Sequence, residues 1–294
     1  MKKILLTGGN GFIGKNIRES YLAQKYEITA PSSSELDLTD TPRSDNYFKN
    51  KNFDIVLHAA TKPGHRNAKD PTNLFFSNMR MFENLERHKD KYGKLINFGS
   101  GAIYDVSPNI SDAQETDIFK IMGKDDHGFC KYAVYKRIEK LNNFIDLNIF
   151  GIFGKYEDWQ IRFISNAICK TLYGLPITLR QNRRFSYLWI DDLMPVLEYF
   201  IENPAEHKSY NVVPDEQTDL SGIALTVKQI SGKAIAINTA NEGYGLDYTG
   251  NNKRLKSEIK NINFTAAEKA IEKLFNYYDR NLHLIDKNLL MSDK

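Results

Sequence analysis

Three glycines near the N-terminus have the spacing of a dinucleotide-binding loop. An apolar segment, residues 4–6, runs directly into the sequence Thr7-Gly8-Gly9-Asn10-Gly11-Phe12-Ile13-Gly14. Gly8 allows a sharp turn after a strand, Gly11 lets the backbone approach a diphosphate, and Gly14 lets the next helix pack closely on the strand. That helix directs its positive N-terminus at the phosphates. The motif predicts dinucleotide binding; the alternative is a glycine turn without a ligand.

Composition limits the classes of partner that the chain can bind. The net charge is +3 over 294 residues. The dense basic cluster of Arg180, Arg183 and Arg184 is too local for a nucleic-acid track and suits a compact anionic ligand. No apolar run approaches the ~18 residues of a membrane span, and residues 1–3 lead into a strand rather than a signal sequence. We therefore expect a cytoplasmic protein that binds neither nucleic acid nor membrane.

The spacing of the two cysteines indicates neither a metal site nor a redox motif. Cys130 and Cys169 form no CxxC pair and are far apart in the chain. The sequence therefore predicts reduced, structural thiols, with neither a disulfide framework nor a metal site.

Strand-like and helix-like segments alternate along the first half of the chain. The predicted strands cover residues 27–30, 54–60, 94–99 and 147–150. Helical patterns between most of them predict an α/β fold with a doubly wound parallel sheet, the Rossmann arrangement.

The alternation weakens in the second half of the chain. There we expect a smaller mixed α/β C-terminal lobe for the substrate, with a return to the sheet around residues 185–201. The predicted units are a dinucleotide-binding domain at 1–153 plus 184–213, a substrate lobe at 154–183 plus 214–280, and a tail at 281–294.

Four segments share their sequence pattern with one enzyme family. They are residues 7–14, 57–60, 98–104 and 184–193. Together they resemble the extended short-chain dehydrogenase/reductases that act on nucleotide sugars. Residues 35–40 and 78–84 are more similar to GDP-L-fucose synthase and other 4-keto-sugar reductases than to UDP-galactose epimerases. The resemblance implies a nicotinamide dinucleotide bound along Gly8, Gly11, Phe12, Ile13, Gly14, Ala59, Ala60 and Asn78.

The end of the second predicted strand bears on the choice of cofactor. NAD-selective sites place an acidic side chain there, on the ribose 2′-hydroxyl. This chain has Ala30-Pro31-Ser32-Ser33-Ser34, without a carboxylate to repel a 2′-phosphate. The hydroxyls of Ser32 and Ser33 therefore favour NADP(H), with NAD as the alternative. These serines could also form a loop that contacts no ligand. By resemblance, Asp37 and Leu38 lie against the adenine, unless Asp37 is a solvated turn residue.

The family's catalytic pair is a Tyr and a Lys four residues apart on a helix. Two pairs of residues in this chain have that spacing, His127 with Lys131 (the first frame) and Tyr132 with Lys136 (the second frame). One helical turn puts both side chains on one face, so that the Lys holds the nicotinamide ribose and lowers the pKa of the phenol. The phenol exchanges a proton with the sugar oxygen. Tyr132 and Lys136 fit literally, whereas His127 and Lys131 fit the longer pattern with His in place of Tyr.

Helix geometry favours the frame of His127 and Lys131. A helix that crosses a parallel sheet needs about four turns, and Lys131 leaves about fifteen residues before the next strand where Lys136 leaves about ten. Asp125 and Asp126 have the residue type of a helix N-cap immediately before His127. An imidazole, with an ordinary pKa of roughly 6.5, can donate a proton, but its reach and acidity differ from those of a phenol.

Reduction is favoured over epimerisation by the residues at two other family positions. By resemblance, Ser100 polarises the carbonyl, unless it only satisfies the turn backbone. Ala102 stands where GDP-L-fucose synthase has a proton-transferring Cys, and Arg162 or His65 stands for its His. Neither an alanine nor a guanidinium moves a proton from carbon at neutral pH.

These residues together predict an NADP(H)-dependent reductase of a nucleotide-linked 4-keto-deoxy sugar. By resemblance, Arg184 grips the diphosphate of the nucleotide sugar with Arg162 as a helper. One alternative is an epimerase or dehydratase that recycles tightly bound NAD. Another is a non-catalytic subunit that binds the cofactor or a nucleotide sugar, which the missing Tyr at position 127 keeps open. The resemblance also implies a homodimer through the helices near 73–92 and 127–145.

Overall fold

A six-stranded parallel sheet forms the centre of the protein. The computed structural model describes residues 1–64, 68, 70, 72–120 and 122–291. The strands are β1 (Lys3–Thr7), β2 (Glu27–Thr29), β3 (Phe53–His58), β4 (Tyr92–Ser100), β5 (Ile110–Ala113), β6 (Phe144–Ile149), β7 (Gly151–Phe153), β8 (Ile177–Asn182), β9 (Arg184–Phe185), β10 (Tyr187–Trp189), β11 (Ser209–Val212), β12 (Thr218–Asp219), β13 (Ile237–Tyr244) and β14 (Tyr248–Gly250). The helices are α1 (Phe12–Glu19), α2 (Leu22–Lys25), α3 (Thr41–Phe48), α4 (Leu74–Arg87), α5 (Asp126–Ile138), α6 (Phe163–Leu172), α7 (Leu193–Glu202), α8 (Leu220–Ser231), α9 (Lys253–Glu258), α10 (Ala267–Arg280) and α11 (Lys287–Met291).

The sheet is covered on both faces because its strands are apolar on both sides. In β1, Ile4 and Leu6 join one hydrophobic core and Leu5 joins the other. Helices α1, α6 and α7 contribute to the first core, and α3, α4 and α5 contribute to the second. The strand order is β11-β6-β4-β3-β1-β2 with parallel pairing throughout. The predicted α/β class with a doubly wound parallel sheet is therefore confirmed.

Two expectations about the path of the chain are wrong. The fourth predicted strand begins at Phe144 rather than at 147. The chain also rejoins the sheet at β11, Ser209–Val212, and not within residues 185–201. That segment instead forms β10, which pairs with β7, and then α7. A parallel strand needs such a crossover before it can join its neighbour, so the return comes after α7.

The smaller lobe is built from strands that are distant in sequence. Its four-stranded sheet has the order β12-β9-β14-β5, and β13 pairs separately with β8. Because β5 and β9 belong to this sheet, residues 110–113 and 184–185 lie in the lobe although the sequence placed them in the dinucleotide-binding domain. The expected tail is also anchored, since Ile285 and Leu290 are buried in the first core. The division of the chain into the units named above therefore stays a proposal that needs these exceptions.

Both cysteines are buried free thiols. Over the described residues, no helix has the length and apolar content needed to cross a membrane. In the same part of the chain, no three His, Cys, Asp or Glu side chains are grouped so that they could hold a metal ion. His65 lies outside the described residues.

Candidate active site

A cavity of about 610 Å³ opens at the carboxyl edge of the central sheet. The ends of β3, β4 and β6 reach it at His58, Ser100 and Ile149. Open parallel sheets bind their ligands at this edge. The predicted site residues that line the cavity are Phe12, Ile13, Ala59, Ala60, Asn78, Ser100, His127, Lys131 and Arg162.

The first two turns of α5 bring His127 and Lys131 to the cavity. Asp125 caps the helix, because its carboxylate accepts hydrogen bonds of 2.9 Å from the backbone N–H groups of His127 and Gly128. The predicted cap is therefore confirmed. The Lys131 Nζ donates a 2.8 Å hydrogen bond to the Phe98 carbonyl oxygen. Burial lowers the pKa of Lys131, and the nearby Asp146 carboxylate opposes that shift.

His127 is partly buried in the cavity wall and is uncharged at neutral pH. Burial, with a smaller effect of the Lys131 cation, lowers the pKa of His127 to about 4. The imidazole is therefore neutral at pH 7, and its remaining N–H is a weak acid compared with an imidazolium.

The second frame points away from the cavity. The Lys136 Nζ forms a 2.7 Å ion pair with Glu139 and lies 4.4 Å from the centroid of the Phe119 ring. Tyr132 packs at the edge of a small apolar cluster that includes Ile103. Neither Tyr132 nor Lys136 lines the cavity, whereas Ser100, His127 and Lys131 all do. The structure therefore brings the serine together with the first frame only.

The glycine loop has the backbone geometry that its spacing predicts. Gly8 has φ +71°, in the region that favours glycine, and its Cα faces the backbone of Ala59 and Ala60 so closely that a Cβ would lie 2.6 Å from the Ala60 nitrogen. A Cβ on Gly14 would lie 2.3 Å from the Gly8 carbonyl oxygen. Helix α1 begins after Gly11 without a side-chain cap and without an acidic residue in its first turn. Its free N–H groups suit a diphosphate.

Asn78 fixes the loop that follows β3. Its side-chain oxygen accepts a 2.7 Å hydrogen bond from the Lys62 N–H, and its side-chain nitrogen donates to the Lys62 carbonyl at 3.1 Å. This reciprocal pair holds the loop beside the cavity, so the contact of Asn78 with a cofactor stays a prediction.

The loop after β2 differs from its expected chemistry because a carboxylate does lie there. Glu35 accepts 2.8 Å hydrogen bonds from both the N–H and the hydroxyl of Ser32, while Ser33 is exposed. These bonds hold the pKa of Glu35 below its ordinary value. The prediction of NADP(H) assumed that no carboxylate lies at this loop. That assumption is wrong, because the Glu35 carboxylate, three residues after Ser32, supplies a negative charge there.

One arginine lies beside this loop and another beside the glycine loop. The Arg43 guanidinium donates a 2.5 Å hydrogen bond to the Ser34 carbonyl and lies 4.0 Å from Asp37. Arg18 donates to the Asn10 side chain at 3.0 Å, beside the glycine loop. The Asp37 carboxylate itself accepts hydrogen bonds from the N–H and hydroxyl of Thr39, as in a turn, and Leu38 is buried.

The two predicted substrate arginines lie in different places. Arg162 precedes α6 and lines the cavity. Arg184 lines a separate cleft with Tyr244 and Asp247. There its guanidinium lies 4.8 Å from the Tyr244 ring centroid and 3.6 Å from the Asp247 carboxylate. The two arginines could therefore serve different parts of one extended ligand.

Comparison with known proteins identifies the family. The model of the NAD dependent epimerase/dehydratase family matches residues 4–213. The chain belongs to this family. The resemblance to extended short-chain dehydrogenase/reductases is thus confirmed, and the protein is an NAD(P)-dependent enzyme of the type that modifies nucleotide sugars.

Individual epimerase/dehydratase relatives are distant. The chain is 27% identical to GDP-L-colitose synthase of Yersinia pseudotuberculosis over 226 residues, which is 68% of this chain and 72% of that one. It is 28% identical to GDP-L-fucose synthase of Azorhizobium caulinodans over 171 residues, 53% of this chain and 54% of the relative. The fold of GDP-mannoheptose C4 reductase from Campylobacter jejuni, determined with NADP bound, superposes with a TM-score of 0.80 at 19% identity, over 94% of this chain and 98% of that one.

Two cavity residues of this epimerase/dehydratase family member were missed by sequence reasoning. Tyr248, in β14, reaches the cavity beside Ser100. Glu157 is buried in the cavity wall near Arg162. Neither belongs to a glycine motif or to a helical pair, and both come into place through contacts between distant segments. No local pattern in the chain marks them.

Glu157 is the one carboxyl group among the described residues that line the cavity. Burial raises its pKa to about 8, although a hydrogen bond from the Ser165 hydroxyl and the charge of Arg162 oppose the shift. Tyr278 in turn donates a 3.0 Å hydrogen bond to Ser165. Glu157 is therefore largely protonated at neutral pH, unlike an exposed glutamate.

The contribution of Glu157 to stability should fall with rising pH, and Glu157→Gln should remove that contribution. Its pKa is about 8 in the folded protein against 4.5 ordinarily, so between these values the folded state binds more protons than the unfolded chain. The Glu157 contribution to the free energy of unfolding then decreases with pH, by up to about 1.4 kcal/mol per unit. Urea unfolding of the cofactor-free parent and of Glu157→Gln from pH 5 to pH 8 measures this as a difference, because groups with the opposite shift, such as His127, contribute equally to both. The exposed Glu27→Gln control should keep the parent's slope; an equally steep slope in Glu157→Gln would contradict the assignment.

Proposed function

We propose that the protein is an NADP(H)-dependent reductase of a nucleotide-linked 4-keto-deoxy sugar, acting in bacterial-type synthesis of surface-polysaccharide sugars. The observation that carries the proposal is the convergence of Ser100 and Lys131 in one cavity at the sheet edge, beside an alanine at position 102. The names of the synthases and of the C4 reductase to which the chain is similar also support a keto-sugar substrate.

The residues present fit a nicotinamide dinucleotide. When bound, the reduced cofactor supplies a hydride to the keto carbon. The free N–H groups at the start of α1 bind its diphosphate, and Lys131 holds the nicotinamide ribose from the cavity wall. At the adenosine end, Arg18 and Arg43 offer guanidinium groups to a 2′-phosphate. We therefore keep NADP(H) as the favoured cofactor, because of these arginines rather than because an acid is absent.

The protein's own side chains act on the sugar. The Ser100 hydroxyl hydrogen bonds the keto oxygen and stabilises the negative charge that develops there. Arg162, in the same cavity, and Arg184, in the neighbouring cleft, bind the anionic nucleotide portion. Ala102 offers no proton-transferring group, which favours reduction without epimerisation.

A second candidate function is an epimerase or dehydratase with tightly bound NAD. Glu157 favours it, because a buried carboxyl group with a pKa of about 8 in the cavity wall could exchange a proton with carbon near neutral pH. The Ser165 hydrogen bond holds this carboxyl group, so the candidate ranks second.

The test is NADPH oxidation by the purified protein against nucleotide-linked 4-keto-6-deoxy sugars that carry different bases. The reductase proposal predicts stoichiometric oxidation of NADPH with at least one sugar, and slower oxidation of NADH. Product analysis by NMR in D2O then separates the candidates, because epimerisation would introduce deuterium at a ring carbon beside the carbonyl. Clear NADPH binding without oxidation of any sugar would contradict the proposal and favour a binding subunit.

We also propose a homodimer that packs through α4 and α5. Phe76 on α4 is 60% exposed and Phe129 on α5 is 40% exposed, with the Phe129 ring stacked 5.2 Å from that of Phe75. Aromatic side chains exposed on adjacent helices are typical of an interface. Light scattering should give twice the mass of the 33.8 kDa chain. Phe76→Asp should shift the protein towards monomer, and a parent protein that is monomeric at all concentrations would contradict the proposal.

A further inference from the structure

The cavity needs a proton donor that the residue at position 127 supplies poorly. Reduction of a ketone adds a hydride to carbon and leaves an oxyanion, which must gain a proton. His127 is neutral at pH 7, since its pKa is about 4. A neutral imidazole N–H is a far weaker acid than the phenol that the family's pattern places there. An alternative acid must therefore lie near Ser100, which binds the same oxygen.

Two phenols are among the described residues that line the cavity, Tyr187 and Tyr248. Tyr248 lies beside Ser100 in the cavity wall, and the Ser100 hydroxyl lowers the pKa of the phenol. Tyr187 packs against Phe185 and Phe153, with ring centroids 5.0 Å and 6.2 Å away. Besides burial, the groups that shift the pKa of Tyr187 are Glu157, Arg162 and Arg183 rather than Ser100. Of the two phenols, Tyr248 is thus the one that lies beside the serine.

Strand β14 fixes the position of Tyr248. Its carbonyl oxygen accepts a 3.2 Å hydrogen bond from the Ser186 N–H. Its ring lies 5.2 Å from that of Phe150 and 6.1 Å from that of Phe185. Contacts on backbone and ring restrict the phenol to a small range of positions, as proton transfer to a bound oxygen requires.

We propose that Tyr248 is the proton donor of the reduction, in place of the helix α5 residue at position 127. The inference rests on the reductase function proposed above. As hydride reaches the keto carbon, the π electrons of the carbonyl move to its oxygen, and that oxygen takes the proton from the Tyr248 hydroxyl. The O–H bond of the phenol breaks, the alcohol O–H bond forms, and water returns a proton to the phenolate afterwards.

Burial keeps the Tyr248 phenol protonated until a substrate oxygen arrives. Burial raises the pKa of Tyr248 to about 12, and the neighbouring Ser100 hydroxyl opposes the rise. The Asp125 carboxylate at the start of α5 raises it further, whereas the Arg162 and Arg183 guanidinium groups lower it. The acid form is therefore present throughout the neutral range, and activity should fall only at high pH.

The decisive variant is Tyr248→Phe, which removes one hydroxyl. We expect kcat for NADPH oxidation to fall about 100-fold to 1,000-fold with KM changed less than threefold, because a positioned general acid contributes in this range. The Kd for NADPH should be unchanged. His127→Gln should lower kcat less than tenfold. The matched control is Tyr135→Phe, since Tyr135 belongs to the same apolar cluster as Tyr248, and burial raises its pKa to about 12 as well, but it does not line the cavity.

A second measurement needs no turnover. A 3-fluorotyrosine at position 248 gives one ¹⁹F signal in the cofactor-free protein, and Ser100→Ala should shift that signal because it removes the neighbouring hydroxyl. In the active enzyme, the fluorinated phenol is more acidic, so the high-pH limb of kcat should move to lower pH. A structural tyrosine would move neither the limb nor the ratio of kcat to KM.

The outcomes separate this inference from the function on which it rests. Normal turnover of the parent with Tyr248→Phe within threefold of it would overturn the assignment and leave the reductase intact. A loss in His127→Gln that exceeds the loss in Tyr248→Phe would assign the proton to the imidazole instead. Absence of turnover in the parent would overturn the reductase proposal and this assignment with it.

Discussion

Lys131→Met should lower kcat/KM for NADPH oxidation by at least about 100-fold and weaken NADPH binding. The Lys131 ammonium lies in the cavity wall with a 2.8 Å bond to the Phe98 carbonyl, and methionine keeps most of its volume while removing the charge. A fixed cation in a site shielded from water stabilises developing negative charge far more than a solvated one does. Fluorescence titration with NADPH, steady-state kinetics and a thermal melt of the same sample measure the effect.

Lys136→Met is the matched comparison for that experiment. Lys136 lies one helical turn further along α5 but pairs with Glu139 on the surface. Exposed pairs of this kind contribute at most about 1 kcal/mol, so activity should stay within about twofold of the parent. The reverse result, with activity lost in Lys136→Met and kept in Lys131→Met, would establish the Tyr132 frame.

Gly14→Ala should destabilise the protein by about 2 kcal/mol or more and abolish measurable NADPH binding. The added Cβ would lie 2.3 Å from the Gly8 carbonyl oxygen and 2.6 Å from the Gly9 Cα, and both are backbone atoms that cannot rotate away. Helix α1 must therefore move off the loop, which removes the close packing that aims its N–H groups at the diphosphate. Urea unfolding and NADPH titration report the two effects separately.

Gly222→Ala provides a control at an equivalent helix position. Gly222 is the third residue of α8, as Gly14 is the third residue of α1. The nearest atom to its added Cβ is the Asp219 carboxylate oxygen at 3.5 Å, an ordinary contact. This variant should be more stable by about 0.5–1 kcal/mol, because alanine favours the helix. If Gly14→Ala behaved in the same way, close packing at the loop would not be needed.

The glycine loop and the N-terminus of α5 were predictable because the residues that determine them are close together in sequence. The glycine spacing requires one turn of backbone at Gly8, and Asp125 caps α5 through atoms two and three residues away. Glu35 was also within reach of sequence reasoning. Ser32 and Glu35 have the S-x-x-E spacing that brings a carboxylate back to a backbone N–H, and that is the contact observed.

The opposite wall of the cavity was not predictable in this way. Tyr248 meets Ser100 only because β14 pairs with β9 and β5, which come from two other parts of the chain. Glu157 becomes a titrating group near pH 8 only through burial beside α6 and α10, at Ser165 and Tyr278. Such properties arise from the tertiary packing of distant segments, which spacing and residue type do not predict.

The four-stranded sheet of the smaller lobe contains strands from distant parts of the chain. This limits how substrate preference could be transferred between relatives. Strand β5 leaves the cofactor-binding half of the chain and completes a sheet with β14, where Tyr248 is placed. A chimaera made by grafting residues 154–183 and 214–280 alone would therefore receive β14 without its two partner strands, β5 and β9. Transfer of specificity requires residues 110–113 and 184–185 to be carried along with the lobe.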